Sequence, residues 1–406
     1  MAVLLIGTLD TKGLEIGFVR ECLQRQGIES MVLDAGVMGP PSIPADIPRE
    51  MVFEASGKKL ASIQEAGDRG DAIEASARGA EAIAMRLYRE GKIDGILGLG
   101  GSAGTTIATK AMRSLPFGVP KLMVSTLASG QVRPFVGPRD LLMMHSVTDI
   151  SGINRISSTV LRNAAGAMAG MIQSPPLPRE AAEKPVLAAT MFGVTTPCVE
   201  RCRALAESKG YEVLVFHAVG TGGEAMESLI ADGLITGVLD VTTTELADEL
   251  VGGVLSAGPR RLTAASDRGV PQVLSVGALD MVNFGPRATV PTQFEGRQFY
   301  VHNENVTLMR TTPEENAKLG AEIAYKASAS RGPTAIALPL RGVSAIDAEG
   351  KPFWDPHADE ALFNAIRANV GRNVRMLELD MHINDPSFAL SMVECLMEML
   401  TKQNAK

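Results

Sequence analysis

The residues with the clearest capacity for chemistry are the glycines and hydroxyl residues at positions 98–106, which read Gly-Leu-Gly-Gly-Ser-Ala-Gly-Thr-Thr. An apolar stretch at 93–97 predicts a buried strand before them, and residues 105–115 predict a helix after them. Glycine lets a backbone approach a ligand closely, and the first turn of a helix presents unpaired N–H groups at the positive end of its dipole. The run therefore predicts a phosphate site. It is not a Walker A motif, because no lysine follows the last glycine at the required position.

Two further loops carry the same residue types. Residues 7–12 read Gly-Thr-Leu-Asp-Thr-Lys, and residues 125–130 read Ser-Thr-Leu-Ala-Ser-Gly, each after a predicted strand. Phosphate binding needs N–H donors, small hydroxyls and a counter-charge, which Lys12 would supply, although a solvated helix position explains that lysine equally well. The predicted nucleotide ligands are Gly7, Thr8, Asp10, Thr11, Lys12, Gly100, Gly101, Ser102, Gly104, Thr105, Thr106, Ser129 and Gly130.

A second set of residues is suited to acid–base chemistry. Four of the five histidines, at positions 145, 217, 302 and 382, directly follow predicted strands. In a parallel sheet such positions lie at the ligand-facing edge, although each one singly is also explained as a polar residue that ends a strand. We expect Asp280 and His302 to act as acid and base, and Arg310 to bind a carboxylate or phosphate of the substrate.

The long polar segment at residues 340–359 is also a candidate for function, because loops of this length in compact domains are usually functional or disordered. Its proline and aromatic content predicts an ordered lid or interface loop, and we expect Asp359 to cap a following helix. The pairs Asp355/His357 and Asp380/His382 share an Asp-x-His form that could supply metal ligands. Since nothing in the sequence fixes the distance between the two pairs, no metal ligand is assigned.

The elements that must position these residues alternate between strand and helix. Such alternation predicts an α/β fold with parallel sheets and helices on both faces. The pattern of residues 3–33 returns with equal lengths at 186–216, and 93–97 and 119–120 resemble 235–239 and 270–271. We therefore predict two Rossmann-like doubly wound domains related by internal duplication, with convergence as the alternative. The predicted domains are residues 1–178 and 185–406, and the proline-rich stretch at 174–185 is the predicted linker.

The loops of the second half differ in character from those of the first. Gly100 and Gly101 correspond to threonines at 242 and 243, and Ser129 corresponds to Asp280. The run 220–223, Gly-Thr-Gly-Gly, still predicts an anion loop before a helix. We infer a division of labour in which the first half holds phosphate and a polar substrate faces the second.

Composition excludes several classes of protein. The 406 residues carry a net charge of −7 and only 4% aromatic residues, which argues against nucleic-acid and anionic-lipid binding. No stretch approaches the roughly 20 apolar residues of a membrane-spanning helix, and the N-terminus lacks the basic region of a signal peptide. These features predict a cytoplasmic protein without membrane or nucleic-acid partners. Its four cysteines are expected to be buried free thiols.

In combination, five motifs resemble the Tm-one-like ATP-binding family: residues 7–12, 98–106, 125–130, 149–155 and 275–285. The resemblance covers nearly the whole chain. It implies two Rossmann-like domains, ATP bound in the first with Mg²⁺ allowed as a companion ion, and a homodimer or higher homo-oligomer. Ala103 and Glu304 depart from the pattern, which leads us to expect glycine and proline at these positions.

Three hypotheses for function follow. The first is an ATP-binding bacterial metabolic enzyme, transferase-like or ligase-like, that acts on a small polar or carboxylate substrate in an interdomain cleft. The second is a nucleotide-dependent binding or regulatory module without turnover. The third is a metal-dependent hydrolase or lyase that uses the Asp-x-His pairs.

Overall fold

A computed structural model describes residues 2–174 and 184–404. The chain divides into two compact units, Met1–Pro178 and Arg179–Lys406, here called the first and second domains. Residues 175–183, which form most of the predicted linker, lie outside the described residues. Within the described ranges, no helix combines the length and apolar character needed to cross a membrane.

The first domain is a five-stranded parallel sheet with helices on both faces. Its strands are β1 (Ala2–Gly7), β2 (Glu29–Asp34), β3 (Gly95–Gly100), β4 (Lys121–Ser125) and β5 (Leu142–His145). Its helices are α1 (Leu9–Gln24), α2 (Arg49–Ala55), α3 (Leu60–Ala66), α4 (Arg69–Arg89), α5 (Ser102–Ser114), α6 (Arg133–Val136) and α7 (Arg155–Gln173). The strands lie in the order β2-β1-β3-β4-β5.

Alternation along β1 shows how the sheet is covered. Leu4 and Ile6 pack into a core with α4 and α5, whereas Val3 and Leu5 pack into a second core with α1 and α7. Successive side chains of a strand point to opposite faces, so a strand that is apolar at every position must be covered on both sides. The helices on the two faces follow directly from that requirement.

The second domain contains a six-stranded parallel sheet and a smaller antiparallel one. Its strands are β6 (Val186–Met191), β7 (Glu212–His217), β8 (Gly237–Thr242), β9 (Gln272–Gly277), β10 (Met281–Phe284), β11 (Phe299–Asn303), β12 (Val306–Arg310), β13 (Thr334–Pro339) and β14 (Val374–Leu379). Its helices are α8 (Thr196–Ser208), α9 (Thr221–Ala231), α10 (Glu245–Val251), α11 (Ala264–Arg268), α12 (Pro313–Ser328), α13 (Pro356–Asn369) and α14 (Pro386–Asn404). All four cysteines are buried and unpaired, as the sequence predicts.

The two parallel sheets share one topology. The larger sheet runs β7-β6-β8-β9-β13-β14, so its first five strands repeat the order of the first domain. Each sequence correspondence between the halves marks the start of equivalent strands: β1 and β6, β3 and β8, and β4 and β9. Gly27 and Gly210, which end equivalent helices, both adopt positive φ, of 73° and 90°. The predicted pair of Rossmann-like α/β domains is confirmed, and the shared order supports the predicted duplication.

The antiparallel sheet β10-β12-β11 has no counterpart in the first domain and is absent from the sequence prediction. It corrects the placement of His302, which does not end a parallel strand but lies within β11, exposed to solvent. The prediction for His302 was wrong because a short apolar run predicts a strand but does not show which strand it pairs with.

Candidate functional site

The carboxyl edge of the first sheet brings together the loops that the sequence singled out. In a sheet of order 2-1-3-4-5, the ligand crevice lies at the switch point between the first and third strands, β1 and β3 here. The connections at this point are shorter than predicted. The strand β3 continues through Gly100 and α5 begins at Ser102, which leaves only Gly101 between them. Likewise only Thr8 separates β1 from α1.

Packing, not backbone freedom, explains most glycines of this run. A Cβ on Gly98 would lie 2.5 Å from Cβ of Ala108, and one on Gly100 would lie 2.8 Å from the Cα of Gly104. These glycines allow α5 to lie directly against β3. Gly101 is different, since the nearest atom to its Cβ would be Thr126 Oγ1 at an ordinary 3.7 Å. Close packing therefore does not account for Gly101.

The N-terminus of α5 has no side-chain cap. Gly101 is its N-cap residue, and no side chain accepts a hydrogen bond from the first turn. Helix α1 also begins without a side-chain cap, because the Thr8 hydroxyl bonds to the hydroxyl of Thr11 at 2.8 Å. Ala103 lies within α5 and does not adopt a positive φ. Its methyl group therefore causes no backbone strain there. At α1, the buried carboxylate of Asp34 already accepts from the N–H group of Leu9 at 3.0 Å. The start of α5 is therefore the helix end whose first N–H groups are available to an anion.

Residues from the starts of both helices line one pocket of about 400 Å³ in the first domain, although Gly101 and Ser102 are not among them. Its polar lining comes from Thr8, from Asp10 and Thr11 in the first turn of α1, and from Asp68 and Arg69 at the start of α4. Its apolar lining comes from Ala35, Val37, Met38, Ile63, Ala72, Ile73, Ala103 and Ile107. Pockets of about 300–1,000 Å³ with mostly apolar walls and a few polar groups are typical of small-molecule sites.

Arg69 is the cation of this pocket. Its side chain is exposed and has no hydrogen-bond or ion-pair partner among the residues that the structure describes. The sequence analysis did not identify it or the apolar wall, because Arg69 is an exposed residue at the start of α4 and belongs to no motif. Only the packing of α3 and α4 brings these residues to the carboxyl edge of β1.

Two predicted ligands have structural tasks. Asp10 Oδ2 accepts hydrogen bonds from the N–H groups of Val37 and Met38, at 3.3 and 3.2 Å, and so fixes one wall of the pocket. Lys12 Nζ donates to the carbonyl of Ile150 and does not line the pocket. The cation that lines the pocket is therefore Arg69 and not Lys12.

Several other predicted ligands also have structural roles or lie outside the pocket lining. The Thr105 hydroxyl is buried and bonds to the Ser125 hydroxyl at 2.7 Å. The Thr106 hydroxyl donates to the Ser102 carbonyl of its own helix, as threonines commonly do inside helices. Ser129 and Gly130 lie in an exposed turn outside the pocket lining. Gly7 is part of β1, where a Cβ would lie 2.7 Å from Ile16, so packing explains it.

The equivalent crevice of the second domain is filled by the protein itself. Glu245, the first residue of α10, accepts hydrogen bonds from the N–H groups of Gly220 and Gly223 at 2.8 and 3.0 Å. Its other oxygen accepts from Nε of Arg261 at 2.7 Å, and Arg261 also binds Asp240 at 2.6 Å. The loop at 220–223 is thus an anion loop, as predicted, but its anion is an internal carboxylate.

This buried network pairs one cation with three carboxylates. Arg261 is fully buried, and the carboxylates of Asp240, Glu245 and Glu227 surround it. Burial raises the pKa of Glu227 and of Glu245, while the charge of Arg261 opposes both shifts. A buried carboxylate is costly unless it is paired, so Arg261 is what allows Glu245 to occupy the crevice.

The three predicted catalytic residues do not form one open site. Asp280 and Arg310 are brought together, but both are buried. Asp280 Oδ2 accepts from the Ser344 hydroxyl at 2.8 Å, and Arg310 donates to the carbonyl of Phe353 and the carboxylate of Asp359, both at 2.7 Å. His302, by contrast, lies exposed on β11, where its ring is 6.5 Å from that of Tyr300.

The Asp-x-His pairs are also engaged in other bonds. Asp355 caps α13 by accepting from the N–H groups of His357 and Ala358, a role that the sequence assigned to Asp359. Asp380 forms a bidentate pair with Arg341 at 2.7 Å. Among the described residues, no group of three or more His, Cys, Asp or Glu side chains is placed to hold a metal ion.

Comparison with known proteins identifies relatives along the whole chain. Residues 1–176 match the model of the N-terminal domain of the uncharacterised protein family UPF0261, and residues 184–400 match that of its C-terminal domain. A UPF0261 protein of Clostridium tetani is 50% identical over 401 residues, covering 98% of this chain and 99% of that protein. The UPF0261 protein RA0729 of Rhizobium meliloti is 47% identical over 393 residues, covering 95% and 96%.

A plant relative confirms the resemblance that the motifs indicate. The ToMV resistance protein Tm-1(GCR237) of Solanum lycopersicum is 45% identical over 340 residues, which is 82% of this chain and 45% of that protein. This chain thus corresponds to less than half the length of the tomato protein.

The packing explanation of the glycine run predicts unequal effects of adding a methyl group. Gly98→Ala should lower the free energy of unfolding by about 1–3 kcal/mol, because the new Cβ overpacks the contact with Ala108. Gly101→Ala is the matched control and should change it by no more than about 0.5 kcal/mol. Urea denaturation followed by circular dichroism measures both. Equal losses would contradict the packing explanation.

The internal anion of the second domain predicts a large effect of removing its counter-charge. Arg261→Met should cost about 3–5 kcal/mol, because it leaves buried carboxylates unpaired. Its exposed neighbour Arg260 offers a control, and Arg260→Met should be nearly neutral. Thermal unfolding of both variants measures the difference. A stable Arg261→Met protein would show that the network is not needed to fill this crevice.

Proposed function

We propose that the first domain of this chain, which belongs to the uncharacterised protein family UPF0261, binds ATP. The observation that carries the proposal is the pocket of about 400 Å³ beside the start of α5, whose first turn has no side-chain cap.

The polar side of the pocket suits the phosphates. The N–H groups at the start of α5 and the helix dipole favour an anion there, and Gly101 leaves room for it to approach the backbone. Arg69 adds a cation at the rim. A guanidinium can bind phosphate oxygens through two N–H groups at once. A Mg²⁺ ion in this site would be bound chiefly by the phosphate oxygens.

The apolar side of the pocket suits the nucleoside. Ala35, Ile63 and Ala72 are buried side chains that line it, together with the partly buried Val37 and the exposed Met38. Burying apolar surface yields about 25 cal/mol for each Å² removed from water, which is available to a flat base and not to an inorganic ion. A ligand with one apolar and one anionic end matches both walls.

The geometry favours binding over turnover as the function. Asp280 and Arg310 are buried and hydrogen-bonded to neighbouring side chains, whereas His302 is exposed. The three residues predicted to be catalytic therefore do not form a reaction centre within the second domain. We therefore propose a nucleotide-dependent binding module, cytoplasmic as the composition predicts and homo-oligomeric as the family resemblance implies. Release of phosphate from ATP, measured on the purified protein, would instead support the transferase-like or ligase-like hypothesis.

Changing the charge at Gly101 tests the phosphate site. Aspartate is a favourable N-cap residue, so Gly101→Asp should preserve α5, but its carboxylate would compete with a phosphate for the same N–H groups. We expect isothermal titration to show at least about a tenfold loss of ATP affinity, which is about 1.4 kcal/mol. Gly101→Asn has the same shape without the charge and should lose less. Unchanged affinity in Gly101→Asp would refute the site.

Removing the cation tests the role of Arg69. Arg69→Gln should weaken ATP binding about tenfold and adenosine binding hardly at all, because the lost interaction is with phosphate. Arg78→Gln is the matched control, since Arg78 lies on the same helix but outside the pocket. Equal affinities in the two variants, or an equal loss for adenosine, would place the phosphates elsewhere.

A further inference from the structure

The segment at residues 340–359 is fastened to the second domain through a buried polar cluster. Arg310, at the end of β12, donates to the carbonyls of Phe353 and Asp355 at 2.7 and 3.3 Å and to Asp359 Oδ1 at 2.7 Å. Asp280 accepts from the hydroxyl of Ser344 at 2.8 Å. One guanidinium and one carboxyl group thus hold both halves of the segment.

The charges of this cluster do not balance when every group is ionised. Three carboxyl groups, of Asp280, Asp347 and Asp359, surround the single guanidinium of Arg310. Asp280 and Asp347 are fully buried, and each has one oxygen, Oδ1, without a hydrogen-bond partner. With all groups charged, the cluster would carry two uncompensated negative charges away from water, which is strongly unfavourable.

We propose that the cluster is a proton-dependent latch, which holds the 340–359 segment in place while its carboxyl groups retain protons and releases the segment when they are fully ionised. The latch differs from the network around Arg261, where backbone N–H groups share the charge of the carboxylates. In the latch, Asp280 and Asp359 accept no hydrogen bond from the backbone of another residue in the described chain. Bound protons must therefore neutralise these carboxyl groups.

The groups of the cluster come from four separate parts of the second domain. Asp280 lies between β9 and β10, Arg310 ends β12, Asp347 belongs to the segment, and Asp359 lies in the first turn of α13. The neighbouring groups are His382, whose Nε2 faces the carbonyl of Ser344 at 2.8 Å, the Asp355 carboxylate, which caps α13, and Arg297, which donates to the carbonyl of Arg310 and pairs with Glu315. Arg310 is therefore the only cation that faces the three carboxyl groups within the described chain.

The direction of the pH dependence follows from burial. Loss of solvent raises the pKa of Asp280 to about 7 and that of Asp359 to about 8, with the charge of Asp347 adding to both shifts and Arg310 opposing them. The folded segment therefore retains protons that a released segment loses from about pH 4 upward. Its stability falls as the pH rises and reaches its minimum above about pH 8.

The sequence provides a reporter for the segment. Trp354 is the only tryptophan in the chain, and it lies within the segment, 47% exposed. We expect its fluorescence to shift to longer wavelength as the pH rises above about 8 and to recover on return to neutral pH. Peptide-level hydrogen exchange, corrected for the intrinsic pH dependence, should confine the change to residues 340–359, which separates local release from unfolding.

Asparagine variants test the role of the protons. Asp280→Asn and Asp359→Asn imitate neutral carboxyl groups, and each should move the fluorescence transition to higher pH or abolish it. Asp380→Asn is the matched control, because Asp380 pairs with Arg341 of the same segment on the surface. It should leave the midpoint unchanged. If one of these two buried variants does not fold, the other variant provides the test of the latch.

Two outcomes would overturn the latch. The first is wild-type fluorescence that stays constant from about pH 6 to about pH 10, the range in which the carboxyl groups titrate. The second is a transition with the same midpoint in the wild type and in both buried variants.

Discussion

The structure depends on how the unpaired N–H groups at the carboxyl edge of each parallel sheet are satisfied. Helices that begin at this edge present N–H groups without partners in the helix, and the crevice between the first and third strands gathers them in one place. In the second domain Glu245 accepts from two of them and Arg261 compensates its charge. In the first domain Asp34 accepts from Leu9 at the start of α1, and the start of α5 lies beside a pocket.

Each domain thus places a buried carboxylate at this edge and pairs it with an arginine, Asp34 with Arg49 and Glu245 with Arg261. The helices that follow the third strands differ in their first residue, which is Glu245 in α10 and Ser102 in α5. A long acidic side chain reaches across to the neighbouring loop, whereas serine does not. Glycine at 223 belongs to the same arrangement, because a Cβ there would lie 2.1 Å from Glu245.

Buried arginines organise the second domain twice, with different consequences. Around Arg261, backbone N–H groups and Thr190 share the charge of the carboxylates. Around Arg310, the three carboxyl groups have fewer donors, and two oxygens have none. A buried carboxyl group that lacks donors retains its proton, since ionisation away from water is costly. Each cluster therefore joins elements that are distant in the sequence, and the proposed proton dependence belongs to the one at Arg310.

The sequence by itself determined the two α/β domains, the repeated strand order and the loops at the carboxyl edge of the first sheet, because these follow from local apolar patterns and from glycines next to strands. Its choice of Gly101 as a phosphate ligand stays a prediction, and it assigned Gly98 and Gly100 to a loop, although they lie in β3 and pack closely against α5. Tertiary structure alone decided which charges are available: it engaged Lys12, buried Asp280 and Arg310, and left Arg69 free at the pocket. The physical reason is that burial and pairing are set by residues far apart in the chain, and no local spacing records them.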